Sequence, residues 1–343
     1  VYYQQTRDRR HLDLVEKNYS LVMNQYGQQP GGMFGADENI RPGYGDPRQG
    51  AETCSMVEFM NSHEALLKIT GETRYADRCE EIAFNSLPAA MTPDLRALHY
   101  LTAPNLISCD CSGEHDFQND GTLVSFDPWS YRCCQHNAAF GWPYFTEHLW
   151  LATADNGLAA ALYAPSEITA KVADGTEVSI SEETAYPFGD FIDFTVSTPA
   201  AVRFPLYLRV PDWAAEASIS VDGKKLPDEL QPGAYAVISR EWRNGDRVRL
   251  TFFPKVVVKM WQKMGNSVSV RRGSLWFSLK IGEEWKRYGG TDVWPAYEIL
   301  PTTPWNYGLV LDPDHPEATI VLAGQRAPSG QPFVPEGATV VLK

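Results

Sequence analysis

Three sulfurs and one carboxylate stand at spacings that suit a metal ion. Glu52 and Cys54 lie in Gly-Ala-Glu-Thr-Cys at 50–54, and Cys133 and Cys134 lie in Tyr-Arg-Cys-Cys-Gln-His-Asn at 131–137. A Glu-x-Cys and a Cys-Cys about eighty residues apart can close a four-ligand, sulfur-rich shell of the kind Zn2+ takes in tetrahedral geometry. Thiols bound to such an ion are deprotonated, so the same site would hold nucleophilic sulfur at neutral pH. Adjacent cysteines rarely bridge one another, because the small ring strains the peptide between them. Two thiols at a helix start also face its positive end, which favours the anion. On spacing alone the fourth ligand is open among Glu52, His136, Cys109 and Cys111. A nearby carboxylate would supply the proton traffic. Asp37 and Glu38 sit in a Gly-rich loop fourteen residues before Glu52, and partial burial of one of them would raise its pKa toward that of a general acid.

The elements that must position these groups read as two regimes. Up to residue 156 the apolar residues fall at helical spacing. Helices are expected at about 8–25 (Leu12, Val15, Tyr19, Val22, Met23), 51–70 (Met56, Phe59, Met60, His63, Leu67), 72–87 (Tyr75, Cys79, Ile82, Ala83) and 133–153, the last bent at Pro143. Residues 28–50 are loop by their Pro and Gly content, and 97–128 read as a short extended segment followed by a polar loop. From about 157 the period becomes two. Ile192, Phe194 and Val196 alternate with polar neighbours, as do Val202 through Val210 and Val248 through Phe252. Asp222-Gly223 and Asn244-Gly245 are hairpin-turn signals. The expected class is mainly α followed by all-β, with an antiparallel β-sandwich over 157–285. Residues 286–343 are expected to be extended and mostly irregular, packing on the helical part or on a second sandwich, with one strand near 318–322.

Composition narrows the function classes. The formal charge of −13 disfavours nucleic acid as a partner. No apolar run is long enough for a membrane helix. Aromatic residues make up 12% of the chain, with ten Trp, which suits either a large core or the flat faces of sugars. All six cysteines, including Cys79, precede residue 135, and so few in 343 residues describe a local site better than a disulfide framework. The chain opens on Val with no secretory leader, so its start reads as internal and no compartment is assigned.

Gly-Ala-Glu-Thr-Cys, the Cys-Cys pair and Pro205-Leu-Tyr-Leu-Arg-Val-Pro211 together resemble the zinc-dependent β-L-arabinofuranosidases of glycoside hydrolase family 127 and their relatives, from about residue 10 to 285. The resemblance implies an (α/α)6 barrel followed by β-sandwich domains, with residues 1–156 as the C-terminal part of that barrel and its first part missing. It implies a retaining hydrolase acting on β-L-arabinofuranosides or a related pentose of plant-type glycans. It makes Glu52, Cys54, Cys133 and Cys134 the zinc ligands, Cys133 the nucleophile and Glu38 the acid/base. Glu80 and Tyr100 become sugar contacts. The loop between Glu38 and Glu52 is two residues shorter than the family's, which keeps Asp37 a rival acid, and Gln135-His136-Asn137 departs from its pattern. Two other readings accompany this one: a zinc-stabilised carbohydrate-binding protein without chemistry, and an inactive, self-associating fragment with an open apolar wall.

Overall fold

The structure is a computed structural model that describes residues 1–35, 50–115, 117, 124–227, 229–312, 314–328, 330–334 and 336–343. The helical regime holds to the end of the Arg132–Glu147 helix. The helices are Tyr2–Thr6, Arg10–Tyr26, Thr53–Thr70, Thr73–Glu81 and Arg132–Glu147, and Thr73–Glu81 runs on through a π turn at Ile82–Ser86 into Leu87–Ala89. Gly71, at φ 71°, ends the Thr53–Thr70 helix in the left-handed conformation that glycine tolerates. The Asn85 side chain of the π turn donates to Ser274 O and accepts from Trp276 N–H, at 2.9 and 2.8 Å, and so ties the helices to the β region.

The last helix is shorter than its expected span of 133–153. It stops at Glu147, because Trp150–Ala152 pairs antiparallel with Leu158–Ala160 across the Asp155-Asn156-Gly157 turn. These apolar residues satisfy a strand ladder as well as a helical stripe, and periodicity over so short a run does not separate the two.

Two sheets form the sandwich. One has six strands in the order Lys224–Lys225, Ala217–Val221, Arg247–Phe252, Phe191–Ser197, Thr176–Thr184 and Ser166–Val172. The other has four: Ala234–Trp242, Val202–Val210, Leu158–Ala160 and Trp150–Ala152. Leu158–Ala160 runs parallel to Val202–Val210, so the sandwich is not antiparallel throughout. Asp222-Gly223 closes the two-residue hairpin its sequence announces, with φ of 50° and 78°. Asn244-Gly245 turns the chain but closes no hairpin. It carries the chain from Ala234–Trp242 in one sheet to Arg247–Phe252 in the other.

One apolar core runs from Met56, Met60, Leu67 and Phe84 in the helices to Phe194, Phe204, Leu208, Trp242 and Leu250 in the sandwich. At the join, Arg209 of the Val202–Val210 strand is fully buried and pairs with Asp77 and Glu80 of the Thr73–Glu81 helix, while its Nε donates to Ala161 O at 2.6 Å. Burial opposes the Arg209 charge, but two carboxylates and two tyrosines hold its pKa well above the usual arginine range. Arg209→Ala would remove the cation that pairs with the buried Glu80 and the half-buried Asp77. It is expected to lower the unfolding free energy by about 3–5 kcal/mol, read from urea denaturation; a loss below 1 kcal/mol would show that the network carries little.

Another buried acid, Glu182, has its pKa raised to about 8 by burial, which the Ser166 Oγ–H donated to it at 3.0 Å does not offset. The unfolded carboxyl ionises near its ordinary value of 4.5, whereas the folded one keeps its proton to about 8. This contribution to stability is therefore present at low pH and lost as pH rises through that window, by on the order of 5 kcal/mol. Glu182→Gln is expected to flatten the stability profile between pH 5 and 8; an unchanged profile would assign the slope to other groups.

Beyond the sandwich, Val256–Trp261, Ser267–Arg272 and Leu275–Phe277 form a three-stranded sheet. The hairpin Glu283–Gly290/Pro295–Pro301 follows. Its second strand bridges back to the helical part, Ile299 to Cys109 and Tyr297 to Phe126. Leu322–Gln325 pairs with Val340–Leu342. Leu14, Val15 and Leu21 of the Arg10–Tyr26 helix and Phe140 of the Arg132–Glu147 helix are exposed. No helix among the described residues is long and apolar enough to cross a membrane.

Candidate metal centre

The site is built where two helices begin. Ala51–Glu52 forms a two-residue strand with Leu101–Thr102, Glu52 opposite Leu101. The Thr53 amide donates to Tyr100 O at 3.0 Å, and its hydroxyl donates to His99 O at 2.7 Å. This short ladder holds Glu52 extended, with φ −84° and ψ 139°, immediately before the Thr53–Thr70 helix, and it places Cys54 in that helix's first turn. Cys133 and Cys134 occupy the first turn of the Arg132–Glu147 helix. Three thiols therefore sit at the positive ends of two helices.

Sequence spacing brings those ends together. Cys134, Ala138, Gly141 and Phe145 recur at intervals of four, three and four, which is one face of a helix. Cys54 and Val57 share a face of the other. A Cβ at Gly141 would lie 2.9 Å from Leu87 Cδ2 and 3.3 Å from Val57 Cγ2. Glycine there lets the helices approach closely enough for the sulfurs to meet.

The loop before the cysteine pair is pinned by its own side chains. Asp127 accepts the Trp129 amide at 2.8 Å and the Ser130 hydroxyl at 2.7 Å. The Gln135 amide donates to Pro128 O and Ser130 O at 2.7 and 2.8 Å. Tyr131, at φ 59° and ψ 56°, is left-handed, a conformation that costs a non-glycine residue about 1 kcal/mol. Its ring lies 4.8 Å from that of Tyr100. Such strain beside a cluster of reactive groups is typical of functional sites.

The result is one compact donor set. One ligating atom each from Glu52, Cys54, Cys133 and Cys134 lies within 4.8 Å of all the others. Cys54 Sγ and Cys134 Sγ are 3.2 Å apart, and Cys134 Sγ is 4.0 Å from Glu52 Oε1. A tetrahedral ion with Zn–S bonds of about 2.3 Å requires edges of roughly 3.8 Å, so these donors can hold one such ion. The electrostatics agree. Its hydrogen bond with Cys134, then burial and the charges of Cys134 and Glu52, push the Cys54 thiol far above its usual range. Burial, then contact with Cys54, raises Cys133. This crowding suppresses ionisation of Cys54 and Cys133, and a cation at the centre of the donor set would reverse that. Exposure separates the sulfurs: Cys134 is buried, Cys54 is half-buried and Cys133 is exposed.

The remaining candidates fall elsewhere. His136 is exposed, and it stands outside this donor set together with Cys109 and Cys111. Cys109 donates to Val124 O at 3.1 Å, and burial raises its pKa to about 12. Cys111 lies 3.4 Å from Ser125 Oγ, and Cys79, fully buried, donates to Glu64. Tyr100 is buried beside Cys134 and Leu101. Glu80 needs correction as a sugar contact. It is 1% exposed, paired with Arg209, and accepts from Tyr186 Oη at 2.7 Å and the Tyr163 amide at 3.3 Å, which commits both carboxylate oxygens to the join between helices and sandwich. Asp37 and Glu38 lie outside the described residues. The Asp127 turn, Gly141 and the strained Tyr131 were missed by sequence reasoning. Asp-Pro-Trp-Ser before the cysteine pair is a legible turn signal, but a left-handed Tyr has none.

Residues 1–147 match the family model of the GH127 β-L-arabinofuranosidase catalytic domain, and residues 157–253 match that of the GH127 middle domain. No curated protein matches the chain. Solved structures share its fold. One is a glycoside hydrolase (TM-score 0.60, 20% identity, covering 80% of this chain and 49% of the other). Another is a GH127 β-L-arabinofuranosidase from Geobacillus stearothermophilus T6 (TM-score 0.58, 20% identity, covering 75% and 48%). A third is a GH127 β-arabinofuranosidase (TM-score 0.66, 18% identity, covering 87% and 55%). The chain spans about half the length of these structures.

Proposed function

The chain belongs to the GH127 β-L-arabinofuranosidase family, and from that premise we propose that it is a retaining glycosidase whose nucleophile is Cys133, held in a zinc site with Glu52, Cys54 and Cys134. The observation that carries the assignment is the exposure of Cys133 alone among four converging donors. A sugar can reach that sulfur, whereas Cys134 is enclosed. Zinc bound here would keep the thiols deprotonated at neutral pH.

The protein's own groups then account for a double displacement. The Cys133 thiolate attacks the anomeric carbon of a β-L-arabinofuranoside or related pentoside. Glu38, assigned by its sequence position before Glu-Thr-Cys, donates a proton to the departing oxygen. The sugar is left joined to Cys133 sulfur. Glu38, now a carboxylate, takes a proton from water, and that water displaces the sulfur from the opposite face. Two inversions retain the configuration. The neighbouring helix N-termini stabilise the thiolate as it re-forms. Tyr100 and Tyr131, their rings tilted against each other beside the cysteines, are suited to bound the sugar site.

The test is release of nitrophenol from a panel of nitrophenyl pentosides, together with labelling of Cys133 by an electrophilic arabinose analogue. Turnover on the β-L-arabinofuranoside, with Cys133 alkylated and protected by free arabinose, is the expected result. A chain that binds arabinose and zinc yet neither turns over nor is alkylated would be a carbohydrate-binding protein without chemistry.

A further inference from the structure

A separate cleft opens where the Thr73–Glu81 helix meets the segment after Val202–Val210 and the turn between Ser267–Arg272 and Leu275–Phe277. Its volume is about 260 Å3, and it shares no lining residue with the cysteine cluster. Two half-buried indoles, Trp213 and Trp276, line it with Asp77, Glu81, Asp212 and Arg271. Trp276 is fixed in place: its indole N–H donates to Glu81 at 2.8 Å, its amide donates to Asn85, and the Arg271 guanidinium lies 5.7 Å from its ring centroid. Asp77 is engaged by Arg209 and by the Asp212 amide, whereas the Asp212 side chain is exposed at the rim.

We infer that this cleft is a second carbohydrate site that takes one neutral sugar ring. Indole faces offer flat apolar area to the C–H face of a sugar, and a carboxylate with a guanidinium offers an acceptor and paired donors to its hydroxyls. Acidic and basic groups both line the cleft, which disfavours a ligand with net charge of either sign. The volume lies just under the roughly 300 Å3 floor of drug-sized pockets, which suits a monosaccharide unit rather than an oligosaccharide. The choice of a pentose as probe rests on the proposed function; the site itself does not.

The experiment titrates 15N-labelled protein with L-arabinose and follows the indole N–H signals of Trp213 and Trp276, assigned by their loss in Trp213→Phe and Trp276→Phe. Both signals are expected to shift saturably. Asp212→Asn, an isosteric change at the rim, is expected to weaken the Kd read from them about tenfold while leaving hydrolysis unchanged. Indole signals that stay still, or that shift with an affinity indifferent to Asp212→Asn, overturn the inference. Hydrolysis with silent indoles removes this site alone. Shifting indoles without hydrolysis remove the hydrolase reading alone.

Discussion

Cys133→Ser is expected to lower kcat/KM by roughly 10^4-fold or more, because the hydroxyl that replaces the thiol is a far weaker nucleophile at neutral pH. Glu52, Cys54 and Cys134 remain as donors, so the variant is expected to keep part of its zinc. The combination is diagnostic. Loss of turnover together with all of the metal would describe a ligand and leave the nucleophile unassigned, whereas full turnover would remove Cys133 from the chemistry. The prediction falls on Cys133 rather than its neighbour because the Arg132–Glu147 helix turns Cys134 into the core, with Leu98, Tyr100 and Leu101, and leaves Cys133 exposed.

Cys134→Ala is expected to act on both stability and activity. It removes a central donor that contacts Cys54 at 3.2 Å and lies 4.0 Å from Glu52. A metal held by the folded donor set would have little affinity for the dispersed chain, so its loss would forfeit the linkage term, about 4 kcal/mol when free metal stands a thousandfold above its Kd. A strong chelator should lower the thermal midpoint of the parent chain and leave that of Cys134→Ala nearly unchanged. Equal chelator effects on both would place the stabilising metal elsewhere.

Much of this was legible from residue types and spacing. Glu-x-Cys and Cys-Cys are short-range patterns, and each sits at a helix start that periodicity announces. Spacing singled out the sulfurs and left the fourth ligand open; the family resemblance named Glu52, and the structure brings Glu52 together with Cys54, Cys133 and Cys134. The period change near 157 likewise marks the passage from helices to sandwich. What was not legible depends on tertiary partners. Trp150–Ala152 reads as helix until Leu158–Ala160 pairs with it, and that pairing is set by a parallel neighbour fifty residues on. Asn244-Gly245 has hairpin chemistry, but the alternation of flanking strands does not reveal that they belong to opposite sheets. Glu80 resembles a sugar contact by position. Only the fold shows Arg209 arriving from the sandwich to claim it. Asp37 and Glu38 fall outside the described residues, so the acid/base assignment stands on the family resemblance, and azide rescue of Glu38→Gln would test it.

The account rests on a single cation bound by Glu52, Cys54, Cys133 and Cys134, and elemental analysis of the purified chain tests it most directly. One zinc per chain is expected, falling below a tenth in the Cys54→Ala/Cys134→Ala double variant, with cobalt substitution giving the intense near-ultraviolet absorption of thiolate ligation. A folded parent chain that carries no metal after purification with zinc present, or that keeps its full complement after both cysteines are removed, would contradict it.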